Sequence, residues 1–94
     1  MNSPSHDSPQ VEWSELPPDA FLLDVRSLPE YLLGHDERAV HIPSDHLKNK
    51  LQKIPRDCPV FVYCHAGIRS QAVAIWLRQQ GIDARNIAGG YKAK

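Results

Sequence analysis

The chain has 94 residues, the length of one small domain. Eleven basic residues balance eleven acidic ones, so no net field would attract nucleic acid or an anionic membrane surface. No run approaches the roughly 18 consecutive apolar residues of a membrane-spanning helix, and the polar start lacks the features of a signal peptide. We expect a cytoplasmic protein without nucleic-acid or membrane partners, although an exported protein whose signal had been removed would look the same.

The amino-terminal part of the chain changes character at about residue 10. Residues 1–10 are polar, with two prolines and three serines, and are predicted to be disordered ahead of one domain over residues 11–94. Residues 11–13 alternate in polarity, which predicts a short edge strand. After a proline break, the apolar run over residues 21–25 predicts a strand buried on both faces.

The middle of the chain alternates between short helices and strands. Residues 27–33 predict a helix, with Pro29 in its first turn and Gly34 at its end. Residues 39–42 predict the next strand. Ser44 is a good N-cap for a following helix, in which residues 47, 51 and 54 recur at helical spacing.

The carboxy-terminal part carries the best-defined strand and helix. Residues 59–63 form a continuous apolar strand, residues 70–80 form the strongest helix, and residues 83–87 form a weak last strand. Strands that alternate with helices and lack internal polar positions are typical of parallel sheets covered on both faces. The predicted fold is therefore a three-layer α/β/α domain with a mostly parallel sheet of four to five strands.

Two cysteines lie at opposite ends of the predicted strand over residues 59–63. Six residues of extended chain separate the Cα atoms of Cys58 and Cys64 by about 20 Å, well beyond the about 4.4–6.8 Å of a disulfide. Cys58 lies before Pro59 and is interpreted as structural. Cys64 lies at the carboxyl end of the strand, where parallel sheets place their ligand sites.

The loop after Cys64 has the composition of an anion site. It is short, contains Gly67 and Arg69, and leads into the helix that begins near Ser70. Backbone N–H groups at a helix N-terminus, together with a nearby cation, stabilise a thiolate and also hold an anionic substrate. An isolated cysteine at a strand end is more often a buried structural residue. The combination with glycine, arginine and a helix start favours a nucleophile.

Four motifs resemble those of the rhodanese family. "CHAGIRS" is similar to the active-site loop C-x-x-G-x-R-S, and "FLLDVRSLPEYLLGH" resembles a strand ending in D-x-R followed by E-[YF] and G-H. "AVHIP" and "NIAGGY" are similar to the family's A-x-[NH]-I-P and G-G-[YFW] segments. The motifs occur in the family's order over residues 20–91, although the Ile and second Gly that often follow G-H are replaced.

The resemblance implies a sulfurtransferase in which Cys64 carries sulfane sulfur as a persulfide. A donor such as thiosulfate would be attacked by the thiolate, and the sulfur would pass to cyanide in an assay or to a thiol or a partner protein in the cell. Apart from this covalent persulfide, the resemblance implies no cofactor. The substrate would be held by the loop residues His65, Ala66, Gly67, Ile68, Arg69 and Ser70.

The resemblance also suggests roles for nearby charged residues. Asp24 and Arg26 match the D-x-R pair, which in relatives mostly supports the sheet end beside the site. A structural ion pair and direct substrate contact are both compatible with that match. Arg69 occupies the position of the loop arginine, where it would contact substrate or shape the loop.

Loop length separates the branches of the family. Sulfur-handling members have six residues from cysteine to arginine, as in Cys64 to Arg69, whereas related dual-specificity phosphatases have seven. The main alternative is a non-catalytic binding or regulatory module with the same fold, although such relatives commonly lack the loop cysteine. Phosphatase activity is a third and weaker alternative.

Other features of the sequence favour no further site. His35, His41 and His46 have no cysteine or paired acid beside them at ligand spacing, so no metal site is predicted. His35 is interpreted as a turn residue that bonds to backbone. We expect a monomer or a weak dimer.

Overall fold

A computed structural model describes residues 9–94, and its centre is a five-stranded parallel sheet. The strand order is β1-β5-β4-β2-β3, and every neighbouring pair is parallel. This arrangement confirms the predicted α/β fold with a parallel sheet. The strands are β1 (Gln10–Val11), β2 (Phe21–Asp24), β3 (Ala39–His41), β4 (Val60–Tyr63) and β5 (Ala84–Ile87).

In the described part of the chain, two α-helices and three 3₁₀ segments accompany the strands, and the last 3₁₀ segment follows β5. The α-helices are α1 (Leu28–Leu32) and α2 (Ile68–Gln79), and the 3₁₀ segments span Trp13–Glu15, Ser44–Lys53 and Tyr91–Ala93. Within residues 9–94, none of these helices is both long and apolar enough to cross a membrane.

The central strands bury both faces, as their continuous apolar sequences predict. Along β4, Val60 and Val62 face one apolar cluster, and Phe61 and Tyr63 face the other. The first cluster is covered by α2 and by the kinked 3₁₀ segment Ser44–Lys53. The second is covered by short segments that contribute Trp13, Leu16 and Tyr91. The layer on the second face is therefore thinner than a layer of long helices.

The amino-terminal boundary lies earlier than predicted. Gln10 belongs to β1, and the Pro9 carbonyl accepts a hydrogen bond from the Asn86 N–H, so the fold includes residues 9 and 10. The rest of the predicted disordered segment lies outside the described residues. The predicted strand over residues 11–13 is also wrong in extent. Trp13 begins a 3₁₀ turn, and its indole N–H donates to the Gly90 carbonyl at 2.9 Å.

A local capping signal sets the start of α1, whereas the two later helical segments do not start as predicted. Ser27 caps α1, and Glu30 completes the capping box as the third residue of the helix. Ser44 is not an N-cap, because the residue in that position is Pro43 and the segment that follows is 3₁₀, with a kink at Lys50. Helix α2 starts at Ile68, two residues before the predicted start, with Gly67 as its N-cap.

Candidate active site

Cys64 follows β4 directly and lies beneath the first turn of α2. Its side chain is buried, with only 1% of its surface exposed. The predicted position at the carboxyl end of a central parallel strand is confirmed, because β2 and β5 flank β4 in the sheet. Groups from the ends of three neighbouring strands can therefore meet around this sulfur.

Hydrogen-bond donors from the loop and from α2 surround the sulfur atom. The Gly67 N–H lies 3.2 Å from Cys64 Sγ. The Ser70 N–H and the Ser70 hydroxyl oxygen each lie 3.3 Å from it. Two donors belong to the backbone at the N-terminus of α2, which also carries the positive end of the helix dipole. The donors expected of an anion cradle are thus present and surround the sulfur itself, whereas binding of an anionic substrate there stays a prediction.

The pKa of the Cys64 thiol is lowered by this environment. Burial raises the pKa, but the hydrogen bonds from the Ser70 hydroxyl and N–H and from the Gly67 and Ala66 N–H groups together outweigh it. Each of these donors stabilises the ionised sulfur more than the protonated one. Cys64 is therefore a thiolate in a larger fraction of the molecules at neutral pH than a free cysteine is.

The carboxy-terminal Gly89-Gly90-Tyr91 segment holds the start of the loop. The Tyr91 N–H donates to the Cys64 carbonyl at 2.7 Å, and the Lys92 N–H donates to the His65 carbonyl at 3.0 Å. This approach requires glycine at position 90, where an added Cβ would lie 2.5 Å from the Cys64 carbonyl oxygen. The "GGY" motif therefore acts at the site through its backbone.

Gly67 provides the turn that aims the loop at the sulfur. Its φ of +93° lies in the left-handed region that favours glycine. An added Cβ would also lie 3.1 Å from the Gly89 backbone nitrogen. A side chain at this position would therefore disturb both the helix start and the contact between the loop and the "GGY" segment.

The predicted supporting pair braces the edge of the site. Arg26 forms a buried ion pair with Asp24, with Nη2 2.8 Å from Oδ2. The same guanidinium donates to the Gly34 carbonyl at 2.7 Å and lies 4.5 Å from the ring centroid of Tyr91. Because Tyr91 holds the Cys64 carbonyl, the pair supports the loop from the end of β2. The two residues thus form the ion pair that was one of the two expectations, and direct substrate contact stays a prediction.

Arg69 is paired away from the sulfur. Its two terminal nitrogens each lie 2.8 Å from a carboxylate oxygen of Glu30 in α1. The bidentate pair is partly exposed and connects α1 to the first turn of α2. Glu30 also accepts from the Ser27 N–H and hydroxyl in the α1 capping box. The arginine therefore links the loop to the start of α1.

The remaining loop residues line the surface around the sulfur. His65 and Ile68 are exposed, and Ala66 is partly exposed. One cavity of about 330 Å³ opens beside His65, and a second of about 380 Å³ opens beside Ala66, Gly67 and Ile68. Substrates could approach the loop from either cavity. The first cavity is lined by Arg26, Glu30, Leu33, Gly34, His65 and Tyr91.

Two histidines outside the loop, His35 and His41, make structural contacts. His35 Nδ1 lies 2.9 Å from the Tyr31 carbonyl oxygen, as predicted for a turn residue that bonds to backbone. His41 Nε2 lies 2.8 Å from the Arg26 carbonyl oxygen, and both imidazole rings stack on Tyr31. Among residues 9–94, no three His, Cys, Asp or Glu side chains are grouped as metal ligands.

Sequence reasoning missed three contributors to the site. Glu30 pairs with Arg69, Asn86 contacts the first turn of α2, and Gly90 contacts the Cys64 carbonyl. Glu30 lies in the E-[YF] motif, which gives no indication of its partner Arg69. Asn86 and Gly90 lie in the quoted "NIAGGY" segment, but more than twenty residues separate them from Cys64. Consecutive glycines signal an unusual backbone without naming its neighbour.

A parallel sheet with a buried, donor-bound cysteine before a helix N-terminus defines a class of α/β protein whose candidate site is the loop cysteine. The family comparison agrees. Residues 10–93 match the model of the Rhodanese-like domain, and the chain therefore belongs to the rhodanese-like domain family, a family of sulfur-related enzymes.

Solved structures and curated proteins support the same family. A rhodanese-like domain protein from Staphylococcus aureus aligns with a TM-score of 0.84 and 28% identity, over 90% of this chain and 89% of that chain. The NAD-dependent persulfide reductase from A. fulgidus aligns with a TM-score of 0.74 and 33% identity, over 88% of this chain and 15% of that chain. The tRNA uridine(34) hydroxylase of Citrobacter koseri is 35% identical over 80 residues, which cover 78% of this chain and 23% of that protein. This chain thus spans under a quarter of that curated relative.

Proposed function

We propose that the protein is a sulfurtransferase that moves sulfane sulfur from a donor to an acceptor through a persulfide on Cys64. The observation that carries the proposal is the cradle of donors around Cys64 Sγ, in which Gly67 and Ser70 supply contacts of 3.2–3.3 Å. A purely structural cysteine does not need three hydrogen-bond donors. A nucleophile that must be a thiolate at neutral pH does.

In the first half-reaction, the Cys64 thiolate attacks the outer sulfur of thiosulfate. A bond forms between Sγ and that sulfur, and the sulfur–sulfur bond to the sulfonate breaks. Sulfite leaves with the bonding electron pair. The product is a Cys64 persulfide whose negative charge is on the terminal sulfur. A persulfide donor would react in the same way and release a thiolate. No redox cofactor is needed, because the donor supplies the oxidised sulfur.

In the second half-reaction, an acceptor takes the terminal sulfur. A thiolate or cyanide attacks it, the bond to Sγ breaks, and the Cys64 thiolate is restored. The N–H groups of the loop and of the first turn of α2 stabilise the negative charge at each stage. Thiocyanate forms with cyanide, and a new persulfide forms with a thiol.

The surroundings of the loop suit a protein acceptor as well as a small thiol. Leu33 and Ile68 are largely exposed beside the cavities that open at the loop. A small anion gains nothing from exposed apolar side chains, whereas the surface of a partner protein would cover them. We propose a thiosulfate-like or persulfide donor, a thiol or protein acceptor, and action in the cytoplasm as a monomer or weak dimer.

An intact-mass experiment tests this function. The reduced protein is incubated with thiosulfate, freed of small molecules and weighed with and without a reductant. We expect a gain of one sulfur atom that reduction removes and that cyanide releases as thiocyanate. Cys58→Ser should gain the sulfur, and Cys64→Ser should not. An unmodified mass for the native protein with both thiosulfate and a small persulfide donor would contradict the proposal and favour a non-catalytic module.

A further inference from the structure

Asn86 is a buried polar residue for which the proposed reaction has no role. It lies in β5, only 2% of its surface is exposed, and it pairs in register with Val62 of β4. Its side chain therefore points to the same sheet face as that of Val62, toward α2. It touches two residues of the cradle, Gly67 and Ser70, without touching the sulfur.

The contacts of the Asn86 amide define which way it points. The Gly67 carbonyl oxygen lies 3.1 Å from one side-chain atom of Asn86, and a carbonyl can only accept. That atom must be the Nδ2 amino group, which also donates to Gln10 Oε1 at 3.0 Å. The carbonyl oxygen Oδ1 consequently faces Ser70 Oγ, at 2.6 Å. Because Oδ1 can only accept, the Ser70 hydroxyl donates its proton to Asn86.

This assignment creates a conflict at Ser70. A hydroxyl has one proton, and Ser70 Oγ lies 2.6 Å from Asn86 Oδ1 but 3.3 Å from Cys64 Sγ. When Cys64 is protonated, its S–H can donate to Oγ while the hydroxyl proton stays on Asn86. When Cys64 is ionised, the sulfur becomes a charged acceptor, and the hydroxyl must turn away from Asn86 to donate to it.

We propose that the Ser70 hydroxyl is a two-position switch between Asn86 and Cys64, and that Asn86 is the positioning residue that opposes donation to the sulfur. In one position the hydroxyl binds Asn86 Oδ1 and offers its lone pairs to Cys64. In the other position it donates to the thiolate and leaves Oδ1 without that donor. The charge on Sγ decides between the two positions.

The switch would assist sulfur loading, and this consequence rests on the proposed function. In the free enzyme, Asn86 competes with the thiolate for the hydroxyl proton and keeps the thiolate more basic and more nucleophilic. After transfer, the negative charge lies on the terminal sulfur and Sγ is nearly neutral. The hydroxyl can then return to Asn86. The exchange therefore favours the persulfide over the thiolate.

Other charged groups act on the sulfur independently of the switch. Arg69 of α2 interacts electrostatically with both Cys64 and Asp24. Arg26 pairs with Asp24 at the end of β2, and Glu30 of α1 pairs with Arg69. His65 lies next to Cys64 in the chain. Substitutions at Asn86 leave all of these groups in place, so their contribution stays the same across the variants below.

The first test measures the pKa of Cys64 from the ultraviolet absorbance of the thiolate in a Cys58→Ser background. Asn86→Leu removes the competing acceptor, and we expect the pKa to fall by roughly half to one unit, the size of one hydrogen bond. Ser70→Ala should raise the pKa, and adding Asn86→Leu to Ser70→Ala should change it no further. Asn86→Asp keeps an oxygen acceptor facing Ser70 and adds a negative charge near the sulfur, so the pKa should not fall and should rise if the carboxylate is ionised.

Several outcomes of this titration would overturn the switch. The first is an unchanged or raised pKa in Asn86→Leu. The second is a fall that persists in the Ser70→Ala background, and the third is an equal fall in Asn86→Asp. The last two would show that the lost contact to the Gly67 carbonyl, and not the hydroxyl, moves the pKa. None of these measurements uses a sulfur donor, so failure here is distinct from failure to form a persulfide.

The second test needs no change at Asn86 and remains available if Asn86→Leu does not fold. The side-chain amide signals of Asn86 are followed by NMR while Cys64 is titrated. We expect them to shift with the pKa of Cys64 in the otherwise native protein and to stay constant in Ser70→Ala. Amide signals that do not shift during the titration, or that shift equally in Ser70→Ala, would overturn the proposal.

Discussion

The two cysteines at the ends of β4 show how position in a parallel sheet decides chemical character. Cys58 precedes the strand and is exposed, whereas Cys64 follows it and is buried among hydrogen-bond donors. They have the same side chain and flank the same strand. The difference arises because a helix N-terminus follows the carboxyl end of β4, and the ends of β2 and β5 converge there.

The same contrast holds for the surroundings of the two ends. At the carboxyl end, the Asp24–Arg26 pair and the Gly90 backbone are buried and contact each other or the loop. At the amino end, Asp83 pairs with Arg78 and Arg85 at the surface. Substitutions at the carboxyl end should therefore affect both activity and stability, and those at the amino end should affect neither strongly.

Exchange of each cysteine for serine tests the comparison most strongly. Cys64→Ser removes the proposed nucleophile, and we expect sulfur transfer from thiosulfate to cyanide to fall by about a thousandfold or more. Cys58→Ser should retain the rate of the native protein. The measurement is thiocyanate formation under saturating thiosulfate. Substantial activity in Cys64→Ser would place the nucleophile elsewhere and remove the distinction between the two ends.

Substitution of one glycine at each end compares the two ends by the loss in the free energy of unfolding. Gly90→Ala places a Cβ 2.5 Å from the Cys64 carbonyl oxygen at a φ of +63°, and we expect a loss of about 3 kcal/mol in the free energy of unfolding. At Gly81, after α2, the nearest atom is the flexible end of Arg56, and we expect Gly81→Ala to lose about 1 kcal/mol.

Urea denaturation measures both losses, and thiosulfate activity is followed alongside. Gly90→Ala should also reduce activity, because the Cys64 carbonyl and the loop must move. Gly81→Ala should leave activity unchanged. Equal effects of the two substitutions on stability and activity would mean that the close contact at Gly90 is relieved without moving the loop.

The two ends can also be compared by how an aspartate at each end makes the free energy of unfolding depend on pH. A hydrogen bond from Arg38 outweighs burial and lowers the pKa of Asp36 from 3.8 to about 2. The Asp36 side chain is 6% exposed, and the backbone N–H of Asp36 donates to the Tyr63 hydroxyl at the end of β4. At neutral pH its ionised form should stabilise the fold by about 2 kcal/mol relative to Asp36→Asn.

The sign of the pH dependence follows from the lowered pKa. The stabilisation is complete above the unfolded pKa and is lost as the pH falls from about 4 to about 2. Asp83, which is 44% exposed at the amino end, is the control, and Asp83→Asn should change stability by under about 1 kcal/mol. Thermal unfolding from pH 7 to pH 2 measures both. A difference between native protein and Asp36→Asn that ignores pH would contradict this account.

The smallest effect is expected for a substitution in the Arg69–Glu30 pair, which links the loop to α1. Arg69 lowers the pKa of Glu30 to about 2 through a bidentate hydrogen bond, so both groups are charged at neutral pH. Glu30→Gln leaves the Arg69 charge unbalanced beside an anion site. We expect the KM for thiosulfate to fall about twofold, with the decrease removed by salt. An unchanged KM would indicate that Arg69 shapes the loop and does not attract the donor.

Much of the fold could be predicted because its signals are local. The apolar runs of β2 and β4 require burial on both faces, and the spacing of α2 requires a helix. The location of the candidate site at Cys64 could be predicted because this residue lies at the junction of β4 and α2. By contrast, Val11 ends β1 because Trp13 turns to reach Gly90, 77 residues away along the chain.

Sequence pattern was sufficient to place Cys64 in a loop of hydrogen-bond donors, because strand, glycine and helix start are neighbours in the chain. Tertiary structure decided which groups complete the site. Gly90 holds the Cys64 carbonyl, Asn86 holds the Ser70 hydroxyl, and Glu30 binds Arg69. These partners come from distant elements that the parallel topology brings to one edge of the sheet. Such contacts depend on distances in three dimensions, on which spacing along the chain carries no information.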